Sequence, residues 1–376
     1  MNTRKYMDKY IGYPSMPLLE AMQQIDAGAR GILYVVDDEG HLLGSLTDGD
    51  IRRFILRTGG LTGTVEAVMN RSVRFIYEGE IQRAEQVMQE LHIRSLPVVD
   101  TDGCAVSILF EEDEPGEKLA RTAEKSDIPV IIMAGGKGTR LYPYTKILPK
   151  PLIPIGDVPI IERIMNRFHQ NGFDEFYITI NYRKEMIKAY FVEQELPYNI
   201  HLIEEELPLG TAGSIRLIRE QFDTPVFVTN CDILIDVDLH HLVSFHRQTH
   251  NDITVVASMQ NTQIPYGVLH TREHGLITSM EEKPKLSYLI NTGMYLVEPE
   301  LFHLIPERRM FHMTDLVEEA MRQGRRAGIY PIGESAYLDM GQFEEMKKME
   351  ERVNNEGESQ IIVSNKESGL SPMPEI

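Results

Sequence analysis

The feature that most constrains the fold is an alternation, from residue 128 onward, of short apolar runs with stretches of helical periodicity. Short apolar runs indicate buried strands, and apolar spacing near 3.6 residues indicates amphipathic helices. Strands are predicted at 130–134, 176–180, 225–229 and 253–257, and helices at 160–168 and 186–192. This alternation predicts an α/β domain with a Rossmann-like, mainly parallel mixed sheet and flanking helices, whose ligands bind at the carboxyl ends of the strands.

The first of these strands runs directly into a glycine-rich loop at residues 134–141, with the sequence Ala-Gly-Gly-Lys-Gly-Thr-Arg-Leu. Three glycines allow a sharp turn and let backbone amides approach a phosphate chain. A P-loop needs Ser or Thr where Gly138 stands, and the dinucleotide fingerprint needs glycine where Leu141 stands. The loop therefore disfavours both P-loop hydrolysis and hydride transfer.

A second cation, Lys150, stands between two prolines whose fixed φ predicts that the lysine points inward. The whole segment 135–150 resembles the signature of sugar-1-phosphate nucleotidyltransferases, and the resemblance extends to about residue 350. It implies that Arg140 neutralises the departing pyrophosphate and that Lys150 orients the phosphates. It also implies that a nucleoside triphosphate is cradled by the loop residues Gly135, Gly136, Lys137, Gly138 and Thr139.

Residues 209–214, Leu-Gly-Thr-Ala-Gly-Ser, open a further stretch of helical periodicity. A helix start predicts free backbone amides that can meet an anion or a base edge. The family resemblance implies that Leu209, Gly210 and Gly213 lie against the nucleoside. The acidic run 204–206 just before them is interpreted as a solvated edge, with a contact to the base as the alternative.

Two carboxylates are candidates for a metal site. The strand at 225–229 leads into Asp232, and a carboxylate at the carboxyl end of a strand is where a hard cation binds. The sequence Tyr-Leu-Asp-Met-Gly at 337–341 resembles the late Asp-x-Gly element of the family, which implies that Asp339 is the second ligand of a Mg²⁺ ion. A helix N-cap is the alternative role for Asp339.

Three short segments resemble the acceptor-binding elements of the family, at 266–268, 281–284 and 291–293. The resemblance implies that Glu282 binds sugar hydroxyls and that Lys283 meets the acceptor phosphate. It implies that Asn291, with Thr292 beside it, contacts the sugar ring and that Gly267 lets the ring approach the backbone.

Four histidines lie on one predicted helix, at positions 240, 241, 246 and 250. His246 and His250 have the i,i+4 spacing of a zinc pair, but the glutamate of the metalloprotease arrangement is missing between them. We therefore interpret this cluster as a solvated helix face.

An internal repeat with an offset of 63 residues occupies the N-terminal region. The turn Asp-Asp-Glu-Gly at 37–40 corresponds to Asp-Thr-Asp-Gly at 100–103, and each follows a short apolar run. Residues 42–46 correspond to 105–109, and the helical stretches around Ala21 and Ala84 align at the same offset. Such a repeat predicts two copies of one supersecondary unit that bury a shared core.

This repeat resembles a tandem pair of cystathionine-beta-synthase (CBS) modules, an α+β domain, over residues 1–115. In that family a Thr-x-x-Asp element contacts an adenine nucleotide, which implies Thr47 and Asp50 as ligands in the first copy. The second copy has Phe110 and Asp113 at the corresponding positions, so at most one nucleotide site is retained. A pair that only forms dimers is the alternative.

Composition limits the partners. A net charge of −19 repels nucleic acid and anionic membranes, and the longest apolar runs are too short for a membrane span, so we expect a cytoplasmic protein with small-molecule substrates. The two cysteines are expected to be reduced, and the CBS pair suggests a homo-oligomer. The predicted boundaries are the CBS pair at 1–115, a linker at 116–127, the transferase domain at 128–353 and a disordered tail at 354–376.

These features together indicate an enzyme that joins a nucleoside monophosphate to a sugar 1-phosphate by in-line displacement. A CBS pair ahead of such a transferase resembles the guanylyltransferases that make GDP-glucosamine for legionaminic acid, which implies GTP and glucosamine 1-phosphate as substrates. Mannose or heptose 1-phosphate with GTP is one alternative, and thymidylyl or uridylyl transfer is another. A nucleotide-sensing protein without catalysis is the rival from another class.

Overall fold

The computed structural model describes residues 7–28, 30–91, 93–110, 125–341, 345–347 and 349–350. The chain forms two compact units. The first unit comprises Met1–Asp113, Met259–Ile290 and Pro331–Ser335, and the second comprises Glu114–Ser258, Asn291–Tyr330 and Ala336–Ile376. Asp113, most of the predicted linker and the whole predicted tail lie outside the described residues.

The N-terminal part of the first unit consists of two small three-stranded sheets. Its elements are β1 (Ile11–Gly12), α1 (Leu18–Gly28), β2 (Ile32–Val36), β3 (Leu42–Thr47), α2 (Asp48–Thr58), β4 (Ile76–Tyr77), α3 (Ala84–Leu91), β5 (Ser95–Val99) and β6 (Ala105–Phe110). The order is β1-β2-β3 in one sheet and β4-β5-β6 in the other. In both sheets the first pair is parallel and the second pair is antiparallel.

The repeat predicted at an offset of 63 residues is confirmed in the strand register. Val35 is opposite Gly44 in the first copy, and Val98 is opposite Ser107 in the second. A bulge follows this pair at the same place in each copy.

The turns between the paired strands also match. Asp37 Oδ1 accepts hydrogen bonds from the amides of Glu39 and His41, at 3.0 and 2.8 Å. In the second copy Asp100 Oδ1 accepts from the amides of Asp102 and Cys104, at 3.0 and 2.8 Å. Equivalent residues therefore make equivalent bonds in the two copies.

A second part of the first unit is the segment Met259–Ile290. It carries the hairpin of β15 (Val268–Thr271) and β16 (Ile277–Glu281), which pair antiparallel. Met259 is buried and Leu289 is partly buried, and both pack on the core of the first repeat copy, beside Leu18 and Phe54.

The second unit contains most of a seven-stranded sheet of order β11-β10-β7-β12-β17-β14-β18. The strands are β7 (Val130–Met133), β10 (Glu175–Ile180), β11 (Asn199–Glu204), β12 (Val226–Asn230), β14 (Ile253–Gln263), β17 (Lys285–Val297) and β18 (Ala327–Ile332). Strands β11, β10, β7 and β12 are parallel, and β17 is antiparallel to β12. Two-stranded additions are β8 (Pro154–Ile155) with β9 (Val158–Pro159), and β13 (Ile233–Ile235) with β19 (Tyr337–Asp339). The predicted mainly parallel mixed sheet is confirmed.

Helices cover this sheet, and both of its faces are apolar. The helices are α4 (Ile160–His169), α5 (Lys184–Val192), α6 (Gly210–Gly213), α7 (Leu239–Thr249) and α8 (Met313–Arg322). Val226 and Val228 of β12 join one core cluster with Leu316 of α8. Phe227, between them, packs edge-on against Phe168 of α4 with ring centroids 5.3 Å apart. Alternate residues of one strand thus serve opposite faces, as the pleat of a strand requires.

The interpretation of the four-histidine cluster as a solvated helix face is wrong for one residue, His246. His240, His241 and His250 are exposed, but His246 is fully buried. His246 Nε2 lies 3.1 Å from Glu298 Oε1, and Nδ1 lies 2.7 Å from the Thr254 hydroxyl. Because a carboxylate only accepts, Nε2 donates to Glu298 and Nδ1 accepts from Thr254.

Among the helices in the described ranges, none has the length and apolar composition of a membrane span.

Candidate active site

The four parallel strands end at the same edge of the sheet, and the glycine loop follows the central one. Gly135 lies so close to Glu205 that an added methyl group would be 2.7 Å from Glu205 Oε1. Gly138 has φ +61°, and a methyl group there would be 2.9 Å from Thr145 Cγ2 and 3.1 Å from Lys150 Cβ. At Gly138 the positive φ and the close packing both favour glycine, and at Gly135 a larger residue would displace the Glu205 carboxylate.

Lys150 points inward, as the flanking prolines predicted. It begins a 3₁₀ turn, Lys150–Leu152, whose preceding residue Pro149 has φ −64°. Only 8% of Lys150 is exposed, and its ammonium group forms an ion pair with the Asp232 carboxylate. These two residues are 82 positions apart in the chain, so the sheet brings them together.

Asp339 ends β19, and Asp232 directly precedes β13, the strand that pairs with β19. Ile233, directly after Asp232, is opposite Asp339 in the antiparallel pair of β13 and β19. The amide of Met340 donates to the main-chain oxygen of Asp232 at 2.8 Å. The alternative role of Asp339 as a helix N-cap lies partly outside the described residues, but its Oδ1 accepts from the amide of Gly341 at 2.7 Å.

The electrostatics of this corner suit a bound cation. Burial raises the pKa of Asp339, and the charge of Asp232 raises it further, whereas Lys150 and Arg140 oppose the rise. Two carboxylates that repel each other at the carboxyl edge of a sheet are a donor set that fits a hard divalent cation such as Mg²⁺.

The loop residues that resemblance assigns to the triphosphate remain accessible. Gly136, Lys137, Thr139 and Arg140 are exposed at this edge, whereas Lys150 and Asp232 lie deeper. An anion entering the site would meet the cations Lys137 and Arg140 before it reaches the buried ion pair.

The prediction of free amides at the 209–214 element is wrong. The helix α6 has only four residues, and the amides of Ala212 and Gly213 both donate to the Phe311 carbonyl, at 3.0 and 3.1 Å. The amide of Thr211 points to His312 Nδ1 at 3.4 Å. Gly210 has φ +83° and allows a close approach, because an added methyl group would lie 2.6 Å from the Phe311 oxygen. The glycines therefore serve packing against the 309–312 segment, and the nucleoside role of Leu209, Gly210 and Gly213 stays a prediction.

The interpretation of the acidic run 204–206 as a solvated edge is wrong for Glu205, which is only 4% exposed. Burial raises the pKa of its carboxyl. Glu205 Oε2 accepts from the Leu209 amide at 3.2 Å, while Oε1 faces Gly135. One buried carboxyl thus joins the glycine loop to the 209–214 element. Its neighbour Glu204, by contrast, is exposed and pairs with Lys184 at 2.7 Å.

The acceptor-binding candidates fall into two groups. In the first unit, Gly267 and Glu282 are neighbours across the hairpin, since a methyl group on Gly267 would be 2.9 Å from Glu282 Oε2. Lys283, next in the chain, is exposed with φ +49°.

In the second unit, Asn291 is exposed and Thr292 is buried. Asn291 Nδ2 donates to the Tyr295 hydroxyl at 2.7 Å, and the Thr292 hydroxyl donates to the Val256 carbonyl at 2.8 Å. The fold uses the Thr292 hydroxyl internally, so Asn291 is the more accessible candidate.

In the CBS-like unit, Thr47 and Asp50 form a helix cap. The Asp50 amide donates to Thr47 Oγ1 at 3.3 Å, and Asp50 Oδ2 accepts from the Thr47 amide at 2.9 Å and from its hydroxyl at 2.6 Å. This reciprocal pattern is a capping box that starts α2. Phe110 ends β6 opposite Ser95, where Thr47 ends β3 opposite Ile32, so the second copy has no such cap residue at this position.

Comparison with known proteins identifies two families in this chain. The profile of the nucleotidyl transferase family matches residues 129–356, and the profile of the CBS domain matches residues 13–57. The first of these ranges covers the glycine loop, Lys150, Asp232 and Asp339.

Individual relatives carry names from sugar-nucleotide synthesis. A UTP–glucose-1-phosphate uridylyltransferase of Synechocystis sp. is 34% identical over 49% of this chain and 52% of its own length. A mannose-1-phosphate guanyltransferase of Debaryomyces hansenii is 35% identical over 46% of this chain and 51% of its own length. A D-glycero-alpha-D-manno-heptose 1-phosphate guanylyltransferase of Campylobacter jejuni is 32% identical over 56% of this chain and 93% of its own length. The chain spans about half the length of the first two relatives.

Proposed function

The chain belongs to the nucleotidyl transferase family, and we propose that it transfers a nucleoside monophosphate from a nucleoside triphosphate to a sugar 1-phosphate, with release of pyrophosphate. The observation that carries this proposal is the meeting of Lys150, Asp232 and Asp339 at the strand edge that holds the glycine loop. A cation and two carboxylates that lie far apart in sequence meet where a triphosphate would lie.

The proposed reaction is an in-line displacement. An oxygen of the sugar phosphate attacks the α-phosphorus, and the bond from that phosphorus to the bridging oxygen of pyrophosphate breaks. Both reactants are anions, so the protein must neutralise charge and hold the reactants in line, and positioning contributes about 7 to 11 kcal/mol. The amides of Gly135, Gly136 and Gly138 would bind the phosphates, together with Lys137 and Thr139.

The cations have separate roles. Exposed Arg140 would neutralise the pyrophosphate as it leaves, whereas Lys150 would orient the phosphates from its buried position. One well-placed cation of this kind typically contributes about 100- to 1,000-fold in rate.

Asp232 and Asp339 would hold a Mg²⁺ ion, which when bound supplies charge neutralisation to the phosphates. The ion pair of Lys150 with Asp232 keeps the carboxylate in place. In the first unit, Gly267, Glu282 and Lys283 are our candidates for binding the acceptor sugar phosphate. In the second unit, Asn291 and Thr292 are our candidates for contacts with the sugar ring.

For the substrates we propose GTP and glucosamine 1-phosphate. Two of the three relatives named above are guanylyl- or guanyltransferases, which supports guanine as the base. Mannose and heptose 1-phosphates, the acceptors in those two names, come next, and the uridylyltransferase name keeps a pyrimidine base as an alternative. The CBS-like pair would bind an adenine nucleotide at Thr47 and Asp50, or serve only to form a homo-oligomer.

The test is pyrophosphate release from four nucleoside triphosphates combined with a panel of sugar 1-phosphates. We expect release only when both substrates are present, fastest with GTP and glucosamine 1-phosphate. Fastest release with another pair would correct the substrates and keep the reaction. A chain that binds nucleotides and releases no pyrophosphate with any pair would be a sensor and not an enzyme.

A further inference from the structure

A short loop after β10, residues Asn181, Tyr182 and Arg183, reaches across to the signature segment. The Tyr182 hydroxyl donates to the Thr145 carbonyl at 3.1 Å, and the Arg183 guanidinium donates to the Lys146 carbonyl at 2.5 Å. Each donor and its acceptor are 37 positions apart in the chain. We call residues 181–183 the clamp.

The carbonyls that the clamp binds belong to a 3₁₀ turn, Tyr144–Lys146. The last carbonyls of a helical turn lack partners within the turn and need other donors. Tyr182 and Arg183 supply them. Arg183 is held in turn by its own Nε, which donates to the Tyr182 hydroxyl at 3.2 Å, and its guanidinium carbon lies 5.6 Å from the centre of the Tyr182 ring.

The bound turn leads directly to the glycine loop. Thr145 is fully buried, and its hydroxyl donates to the Gly138 carbonyl at 2.8 Å. Gly138 also lies against Lys150, so the turn, the glycine and the lysine form one packed group. The hydrogen bonds therefore run from Tyr182 through Thr145 to Gly138, two residues before Arg140.

The first residue of the clamp bonds to Glu205, which directly follows β11. Asn181 Nδ2 donates to the Glu205 carbonyl at 2.9 Å, and the Glu205 amide donates to the Ile180 carbonyl at 2.9 Å. Glu205 contacts the glycine loop at Gly135, as described above. The clamp thus contacts the signature segment in two ways, directly through the carbonyls of residues 145–146 and indirectly through Glu205. Arg183 adopts φ +51°, a left-handed conformation that a side-chain residue rarely takes without support from its surroundings.

We propose that Tyr182 and Arg183 are positioning residues for the nucleotide, which hold the 139–150 segment so that the glycine loop, Arg140 and Lys150 face one triphosphate. This inference rests on the proposed nucleotide site. The two residues act through the carbonyls of Thr145 and Lys146.

The test removes one hydroxyl. Tyr182→Phe deletes the donor to Thr145 and keeps the ring, and Tyr198→Phe is the matched control, because the Tyr198 hydroxyl donates to Asn166 Oδ1 over the same 3.1 Å in the same unit. The affinities of the full-length variants for GTP, ATP, UTP and dTTP are measured by calorimetry, and thermal unfolding is followed in parallel. A misplaced loop weakens binding, so we expect about a 10-fold higher Kd for the preferred triphosphate in Tyr182→Phe only, with similar melting temperatures in both variants.

Turnover supplies a second readout. In Tyr182→Phe the KM for the triphosphate should rise while the KM for the sugar phosphate stays unchanged, a split that a general loss of folded protein does not produce. In a double-mutant cycle with Thr145→Val, the two losses should be less than additive, because both changes break the same chain of hydrogen bonds.

The outcomes separate the two proposals. Equal triphosphate affinity in Tyr182→Phe and Tyr198→Phe would overturn the positioning role. A wild-type protein that binds a triphosphate without releasing pyrophosphate would overturn the reaction while the affinities still decide the role of the clamp. A wild-type protein that binds none of the four triphosphates would overturn both.

Discussion

Each of the two units contains a pair of polar residues with candidate ligand roles, and the pairs are built differently. Thr47 and Asp50 are three residues apart and bond to each other as the cap of α2. Lys150 and Asp232 are 82 positions apart and meet only because β7 and β12 are neighbours in one sheet. The first pair is explained by the start of a helix, whereas no helix or strand requires the second.

The two pairs also differ in how they affect the stability of the fold. A capping box stabilises its helix, so selection for stability alone accounts for it. A buried ion pair loses hydration that its attraction only partly repays, and apolar residues in its place are often no less stable. Function is therefore the better explanation for Lys150 and Asp232, while Thr47 and Asp50 need further support before a nucleotide is assigned to them.

The largest expected effect concerns the second unit. Asp232→Asn and Arg140→Ala should each lower turnover by at least about 100-fold, because each removes a charge that acts on the phosphates. Steady-state pyrophosphate release measures the loss, and circular dichroism checks that the fold persists. Turnover close to that of the wild type in either variant would refute the proposed site.

A smaller effect, on stability, is expected from His246, which is buried in the second unit beside Thr254 and Glu298. Burial lowers the pKa of His246 from 6.5 to about 4. The unfolded chain then binds more protons than the native one between these values, so stability is lost as the pH falls from 6.5 toward 4. At pH 5 we expect a loss of roughly 1 to 2 kcal/mol relative to pH 7 from this group.

Urea unfolding at several pH values measures this loss, with His246→Gln as the control that cannot titrate. The difference between wild type and variant should shrink as the pH falls. A difference that stays constant from pH 7 to pH 5 would show that His246 does not carry the pH dependence.

The smallest effect concerns the cap of the first unit. Asp50→Ala should cost about 1 kcal/mol of stability through the lost cap, with turnover changed less than about twofold. Thermal unfolding without nucleotide measures the stability lost with the cap. Thermal unfolding with AMP or ATP tests whether Thr47 and Asp50 also bind a nucleotide. If the nucleotide stabilises the wild type and Asp50→Ala abolishes that effect, the cap is also a ligand site and the contrast between the two pairs fails.

Local patterns sufficed for much of this fold. The 63-residue repeat can be recognised in the sequence because both copies need the same acidic turn. The register of β2–β3 and β5–β6 confirms the repeat. Four of the seven strands of the sheet, β7, β10, β12 and β14, and the helix at 160–168 followed from apolar spacing. Lys150 was predicted to point inward because prolines restrict its neighbours by covalent geometry.

Two of the errors occurred where a segment outside the local helix supplies a partner. His246 is buried because Thr254 and Glu298 satisfy its ring, and the amides of Ala212 and Gly213 are occupied because the Phe311 carbonyl reaches them. The local sequence does not show that Glu298 or Phe311 will be a partner. Glu205 is a different case, because its partner Leu209 is only four residues away and tertiary structure adds only its position beside Gly135.

The sequence alone therefore determined the class of fold, the repeat and the type of chemistry, because backbone propensity, apolar period and proline geometry act over a few residues. Which charges meet was decided by the order of strands in the sheet. That order places Asp232 beside Lys150 and the clamp beside the signature segment, and the separate pairing of β13 with β19 places Asp339 beside Asp232. Interactions between side chains extend only a few ångströms, so residues far apart in the chain cooperate only after packing has brought them within that distance.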